Sequence, residues 1–402
     1  MKLHIISGSA SKKMGHGKEY IENIVNRIYD FNKKEDLFDN IILYTFNLAE
    51  NINLNSNISL KEVSFKSVKD KNYYLTKYNK YLWRVFYGVN RIKNYYTLYN
   101  LVLHNYKKDD EIYFTDYEYI SMFLKRNIFK KNPILTLHTM DFNKNEYSFI
   151  ESIYKKTSKL FNRVIFESSK KVLVHGKYIK KSFIEVYPEN KKKVRVVDYG
   201  ISENTNKVQK NNSFDHINNK YNLKLNNYKI NLLIFGMLRQ NKGIVNFLNK
   251  FISLANFNNF NLLIVGKNYD IDEKDIQNII KNKQNIEWIN EYVPSNEIKY
   301  FFGASDFLVL PYLKNMNSQS GPLKLAMGYN TPVISSKYGE LGFFTKEYGV
   351  GETFDPYDYN SVKSVFSKIS KDINNYKLNI QKIQKSMSWE NMATKIWEVI
   401  KE

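Results

Sequence analysis

The sequence predicts an α/β protein made of two parallel-sheet units joined by a polar linker. Three observations predict this. Short apolar, β-branched runs alternate with longer segments of helical spacing. The alternation restarts after an Asn-rich stretch. In both halves a strand passes into a helix through glycine.

The first strand is "KLHIIS" (2–7), followed by the helical "GKEYIENIVNRIYDF" (17–31). Further strands are expected at 40–46, 111–115, 133–138, 171–176 and 193–200. The stretch 208–229 is polar, Asn-rich and without period, and reads as linker. A second series follows at 230–236, 260–266, 285–289, 306–311 and 331–336. The last segment (386–402) has Ser388 as a capping candidate, with Trp389, Met392, Ile396 and Val399/Ile400 at helical spacing. The expected organisation is 1–205, a linker at 206–228, a second unit at 229–385 and the terminal helix.

Composition narrows the chemistry. The 402 residues include no cysteine, which excludes disulfides, thiolate metal sites and a thiol nucleophile and fits a reducing compartment. The opening apolar run is too short for a signal peptide, and no window approaches 18 apolar residues. A cytoplasmic protein, soluble or peripheral on a membrane, is expected. Net charge is +21, and residues 1–200 hold 36 Lys+Arg against 21 Asp+Glu. That balance points to an anionic partner: nucleic acid, an anionic membrane or a phosphorylated ligand.

Two turns carry candidate chemistry. In "IFGMLRQNKGI" (234–244), Gly236 ends an apolar strand, and Arg239 and Lys242 precede a helix starting near Gly243. Ligands of open α/β sheets bind outside the carboxyl ends of strands. There a guanidinium fork and an ammonium suit phosphate oxygens. In "NSQSGPLKLAMGYNTPVISS" (317–336), Ser318, Ser320 and Gly321 open a helix whose N–H groups favour an anion. Together these could grip one diphosphate. In the first half, Gly15 and Gly17 relieve the turn of "ISGSASKKMGHGKEY" (6–20), which lacks both the dinucleotide Gly spacing and the Gly-Lys-Ser/Thr phosphate loop.

The ordered set "FGMLRQNKG", "LLIVGK", "WINEYVP", "ASDFLVLPY", "SQSGPLKLAMGYNTPVIS" and "GVGETFDP" resembles the donor domain of glycosyltransferase family 4. "GHGKEY", "ILTLHTMD", "KVLVHGKYIKK" and "VRVVDYGI" extend the resemblance to the first half. It implies the GT-B fold: two Rossmann-like domains facing a cleft, with the terminal helix (386–402) crossing back to the first. It also implies retaining transfer from a UDP- or GDP-sugar to a glycan or lipid-linked acceptor in bacterial surface polysaccharide synthesis. No cofactor or metal is expected. Arg239 and Lys242 match the basic pair on the donor diphosphate, Gly17 the glycine that admits the donor, and His138 a histidine near the transferred sugar. Gly236, Asn317, Gln319, Ser320, Gly321, Pro322 and Leu323 fall in the matching donor loops. One departure stands out. The family's two glutamates around this loop fall at Asn317 and Leu325, so Asn317 or Gln319 side chains, with backbone groups at 320–323, would have to replace them.

Residues 66–104 mix Lys and Arg with aromatics. Leu75, Tyr78, Leu82, Val85/Phe86, Val89 and Ile92 form an apolar stripe expected to pack on the sheet, and Lys77, Lys80, Arg84, Arg91 and Lys93 a basic side expected to meet an anionic membrane on the inner face of the plasma membrane. Competing readings are a GT-B sugar-nucleotide epimerase and a basic nucleic-acid-binding protein. The second leaves the donor-loop set unexplained, so no nucleic acid is expected.

Overall fold

The computed structural model describes residues 1–9, 17–48, 52–64, 80–140, 149–202, 208–223, 225, 228–314, 320–369 and 372–402, with the backbone alone at 80–85 and 149–154. The chain divides into two compact units, Met1–Gly200 with Trp389–Glu402, and Ile201–Ser388.

Among the described residues the first unit holds seven strands: β1 (Lys2–Ser7), β2 (Asn40–Phe46), β3 (Ser59–Val63), β4 (Glu111–Phe114), β5 (Ile134–Leu137), β6 (Lys171–Val174) and β7 (Val194–Val196). They pair in parallel in the order β3-β2-β1-β4-β5-β6-β7. Both faces of the sheet are covered. Leu3, Ile5 and Leu43 meet Ile21, Ile24 and Ile28 of helix Gly17–Glu35 and Met392, Ile396 and Trp397 of helix Trp389–Lys401. Ile6, Tyr44 and Phe114 point the other way, onto Leu98, Tyr99 and Val102 of helix Lys80–Asn105 and onto Met122, Phe166 and Phe183. Successive strand residues therefore feed opposite cores, which is why these strands read as continuous apolar runs.

The second unit repeats the plan with β8 (Ile230–Phe235), β9 (Phe260–Val265), β10 (Ile286–Ile289), β11 (Phe307–Leu310), β12 (Val333–Ser336) and β13 (Gly351–Phe354). Their order is β10-β9-β8-β11-β12-β13, again all parallel. Leu232 and Ile234 enter a core with Phe247, Phe251 and Phe366, whereas Leu233 and Phe235 enter one with Phe301, Phe302 and Met327.

The structure corrects two expectations and adds one strand that was not expected. Residues 210–221, read as linker, form a helix (Lys210–Tyr221) in the second unit. Its apolar residues, Phe214, Ile217 and Tyr221, are spaced three and four apart and pack with Phe301; the surrounding asparagines hid the stripe. Strand β3 had no sequence signal because it is an edge strand, Ser-Leu-Lys-Glu-Val, that carries charge. On helix Lys80–Asn105, Phe86 and Val89 were placed against the sheet. They are 48% and 58% exposed, and Tyr95, Leu98, Tyr99 and Val102 take the buried face instead. No helix among the described residues is long and apolar enough to cross a membrane.

Candidate functional site

The order of each sheet reverses once, between β1 and β4 and between β8 and β11. Such a reversal opens a crevice at the carboxyl ends of the strands, where doubly wound sheets bind ligands.

At the β8/β11 reversal, Gly236 follows β8 with φ +93° and donates its N–H to the Val265 carbonyl at 2.9 Å. A Cβ there would lie 3.2 Å from the Pro322 ring and 3.5 Å from Lys242 Nζ. The bare backbone thus faces the ammonium and the start of helix Gly321–Gly328 together. Lys242 sits in the one-turn helix Gln240–Lys242 and is buried. Its ammonium lies 5.6 Å from the centre of the Tyr312 ring. Burial, and then the Arg239 charge, push it down to about 8. Tyr312 in turn shares a 3.0 Å hydrogen bond with Ser320 Oγ, and burial pushes its phenol up to about 12. Ser320 caps the helix, its Oγ accepting from the Leu323 amide at 3.3 Å. The Leu313 amide donates to the Asn241 carbonyl at 3.0 Å, so the two loops are joined along their backbones.

Sequence reading gave the helix-start N–H groups to Ser318, Ser320 and Gly321, with backbone contacts along 320–323; Ser318 lies outside the described residues. Pro322 has none and the Leu323 amide is taken by Ser320, which leaves the amides of Ser320 and Gly321 without an acceptor among the described residues. Arg239 is exposed; its guanidinium carbon lies 4.6 Å from the centre of the Tyr269 ring. Leu325, where the family has a glutamate, packs against the core instead. Gly15, Asn317, Gln319 and Lys77 lie outside the described residues, as do the side chains of Lys80 and Arg84.

The β1/β4 reversal has the opposite charge. Asp116, just after β4, accepts from the Gly8 and Ser9 amides at 3.0 and 2.9 Å, from Ser7 Oγ at 3.2 Å and from the Tyr95 hydroxyl at 2.7 Å. Burial raises its carboxyl, but the hydrogen bonds from Ser9 and Tyr95 outweigh it and hold the group below its ordinary value. Gly17 opens its helix where a Cβ would stand 2.6 Å from the Ser9 carbonyl oxygen. His138, one residue past β5, shares a 2.7 Å hydrogen bond through Nε2 with the Thr115 carbonyl, which therefore accepts, and its ring lies 4.9 Å from that of His175 and 5.6 Å from Tyr20. Sequence reading missed Tyr312, Tyr269 and Asp116. Each follows a strand, and that position was the available signal. Among the described residues no group of three His, Asp or Glu could hold a metal ion.

Residues 229–362, which contain the whole β8/β11 site, match the family model described as glycosyl transferases group 1. The match lies within the second unit. Solved structures extend the likeness to the whole chain. The trehalose-6-phosphate protein from E. coli bound with UDP-2-fluoro glucose aligns with a TM-score of 0.71 at 12% identity, covering 100% of this chain and 99% of that one. A sucrose-phosphate synthase from Thermosynechococcus elongatus aligns at 0.68 and 14%, covering 100% and 98%. WaaG, a glycosyltransferase involved in lipopolysaccharide biosynthesis, aligns at 0.67 and 14%, covering 99% of each chain. At these identities the likeness establishes the fold alone: two GT-B-type parallel-sheet domains. No curated protein matches the chain.

Proposed function

We propose that the chain transfers a sugar from a UDP- or GDP-sugar to a glycan or lipid-linked acceptor on the cytoplasmic side of the membrane, in surface polysaccharide synthesis. The observation that carries this is the meeting of Lys242 Nζ, the bare Gly236 backbone and the start of helix Gly321–Gly328 at the β8/β11 reversal. In the reaction the bond from the sugar's anomeric carbon to the diphosphate oxygen breaks, and an acceptor oxygen takes its place. Negative charge then builds on the departing diphosphate. Lys242, Arg239 and the helix amides supply positive field there without rearranging. Retention of anomeric configuration and independence of metal belong to the same reading. It draws support from the family match and from the UDP-sugar in the trehalose-6-phosphate structure. WaaG's role in lipopolysaccharide supports the polysaccharide assignment.

Incubation with a panel of UDP-, GDP- and TDP-sugars tests it. Nucleotide release from a UDP- or GDP-sugar, undiminished by EDTA, is expected. Release from none of them, or release abolished by EDTA and restored by Mg²⁺, would overturn the corresponding part.

A further inference from the structure

Several large exposed apolar residues of the first unit, though not Met1, Leu37 or Leu60, lie on the helices that cover one face of its sheet. Phe86, Val89, Lys93 and Tyr96 fall within one arc of helix Lys80–Asn105, on the side away from its buried residues. Phe86 is 48%, Val89 58% and Tyr96 37% exposed. Lys125 Nζ lies 4.8 Å from the centre of the Tyr96 ring, which carries the surface across to helix Tyr119–Leu124. There Leu124 is 60% exposed, and the Arg126 guanidinium lies 5.3 Å from the Phe123 ring. Phe123 stacks on Phe161 at 4.0 Å, and the adjoining Leu160, on helix Phe149–Glu167, is 59% exposed. The apolar groups thus form a connected strip with cations laid over its aromatic rings.

The sequence of the elements on this side is rich in bases, although helix Phe149–Glu167 sets Glu151 and Glu167 beside its four bases. Between Asp70 and Asp109 the chain has eight Lys or Arg and no acid; between Glu118 and Asp141 it has four and none. The opposite side of the same sheet differs. Helix Gly17–Glu35 carries four bases and four acids, and helix Trp389–Lys401 two of each. Several of these are paired, as in Arg27–Glu390 and Lys401–Glu35.

We propose that the outer side of helices Lys80–Asn105, Tyr119–Leu124 and Phe149–Glu167 is a docking surface for an anionic lipid bilayer. Leu124, Leu160, Val89 and Phe86 would enter the boundary between headgroups and acyl chains, while Lys93, Lys125 and Arg126 stay at the phosphates. The aliphatic residues select lipid over nucleic acid, whose backbone offers them nothing to bury against. The surface differs from the one read from sequence. Lys93 stays in it, Arg91 leaves it by turning toward Tyr95, and Lys125 and Arg126 join it. The inference rests on the proposed transfer only for its purpose, that of meeting a lipid-linked acceptor. Its test uses no sugar donor, so the two readings fail separately.

The test is co-sedimentation of the full chain with phosphatidylcholine vesicles, with and without phosphatidylglycerol. Binding is expected only with phosphatidylglycerol, and should weaken as salt rises from about 0.1 M to about 1 M. Replacing Lys93, Lys125 and Arg126 by Gln should weaken it on the order of 100-fold, since each such cation is worth about fivefold near an anionic surface. Leu124→Ser with Leu160→Ser should weaken it as well. Lys18, Lys33 and Lys34, replaced by Gln on the balanced side, should leave it unchanged. Thermal unfolding of every variant checks that the fold is kept. No binding to phosphatidylglycerol vesicles, equal loss from both triple variants, or tighter binding to a single-stranded oligonucleotide than to vesicles would overturn the proposal.

Discussion

The two sheets reverse their strand order in the same way, yet the loops at the two reversals are built from opposite charges. At β8/β11 the centre is a buried cation: Lys242 lies against the Tyr312 ring with Arg239 nearby. At β1/β4 it is a half-buried carboxylate: Asp116 is surrounded by donors from Ser7, Gly8, Ser9 and Tyr95. Topology fixes where a ligand can bind, and the residues just past each strand decide what it can be. The Asp116 charge is met by its own loop, so it organises that loop. Among the described residues the Lys242 charge has no carboxylate counterpart at its site; desolvation has pushed its pKa down, and an incoming diphosphate would supply the missing charge.

The largest effect that would sharpen this contrast is on catalysis. Lys242→Ala should lower turnover by about 100- to 1000-fold and leave the protein folded, read from initial rates beside a melting curve. Arg239→Ala, at an exposed position, should cost nearer tenfold. Near-wild-type rates in both variants would remove the site from β8/β11.

Asp116 should behave the other way. Asp116→Ala leaves two amides and the Tyr95 hydroxyl without their acceptor, and should cost about 3 kcal/mol of stability in a urea titration, while UDP binding stays within a few-fold. The pH dependence has a definite sign. A carboxyl held below its ordinary value in the folded chain stabilises the fold above that value, and the contribution is lost as pH falls through the folded value. The stability gap between wild type and Asp116→Asn should therefore close as pH drops below about 4.

The smallest effect is a shift in a pH profile. With the Lys242 ammonium at about 8, kcat/KM should fall as pH rises through about 8, because the free enzyme then loses the charge that meets the diphosphate. Arg239 contributes to that depression, so Arg239→Ala should move the alkaline limb upward even as it lowers the plateau. A limb that stays in place would remove Arg239 as a cause.

Part of this was legible in the sequence. The inner strands announce themselves because they are apolar on both faces, and Arg239 and Lys242 stand out as charges placed after one of them. The burial of Lys242, its Tyr312 partner and the donors around Asp116 were not legible. They come from segments far apart in the chain, and no local pattern reports such a contact. Helix Lys210–Tyr221 was lost because three apolar residues carry it among asparagines. Phe86 and Val89 misled for a physical reason: their spacing marks a helix correctly, but spacing cannot tell an apolar side that meets the sheet from one that faces outward.

The central claim is that the β8/β11 turn of the second unit holds the donor diphosphate through Lys242. Calorimetric titration of UDP and of GDP into wild type and Lys242→Ala, at pH values on either side of about 8, tests it most directly. The account predicts that wild type binds at least one of the two, that affinity declines as pH rises through that value, and that Lys242→Ala binds at least about tenfold more weakly, a loss of about 1.4 kcal/mol, with no decline. Equal affinity in both proteins, or binding by wild type that is flat across that range, would contradict it.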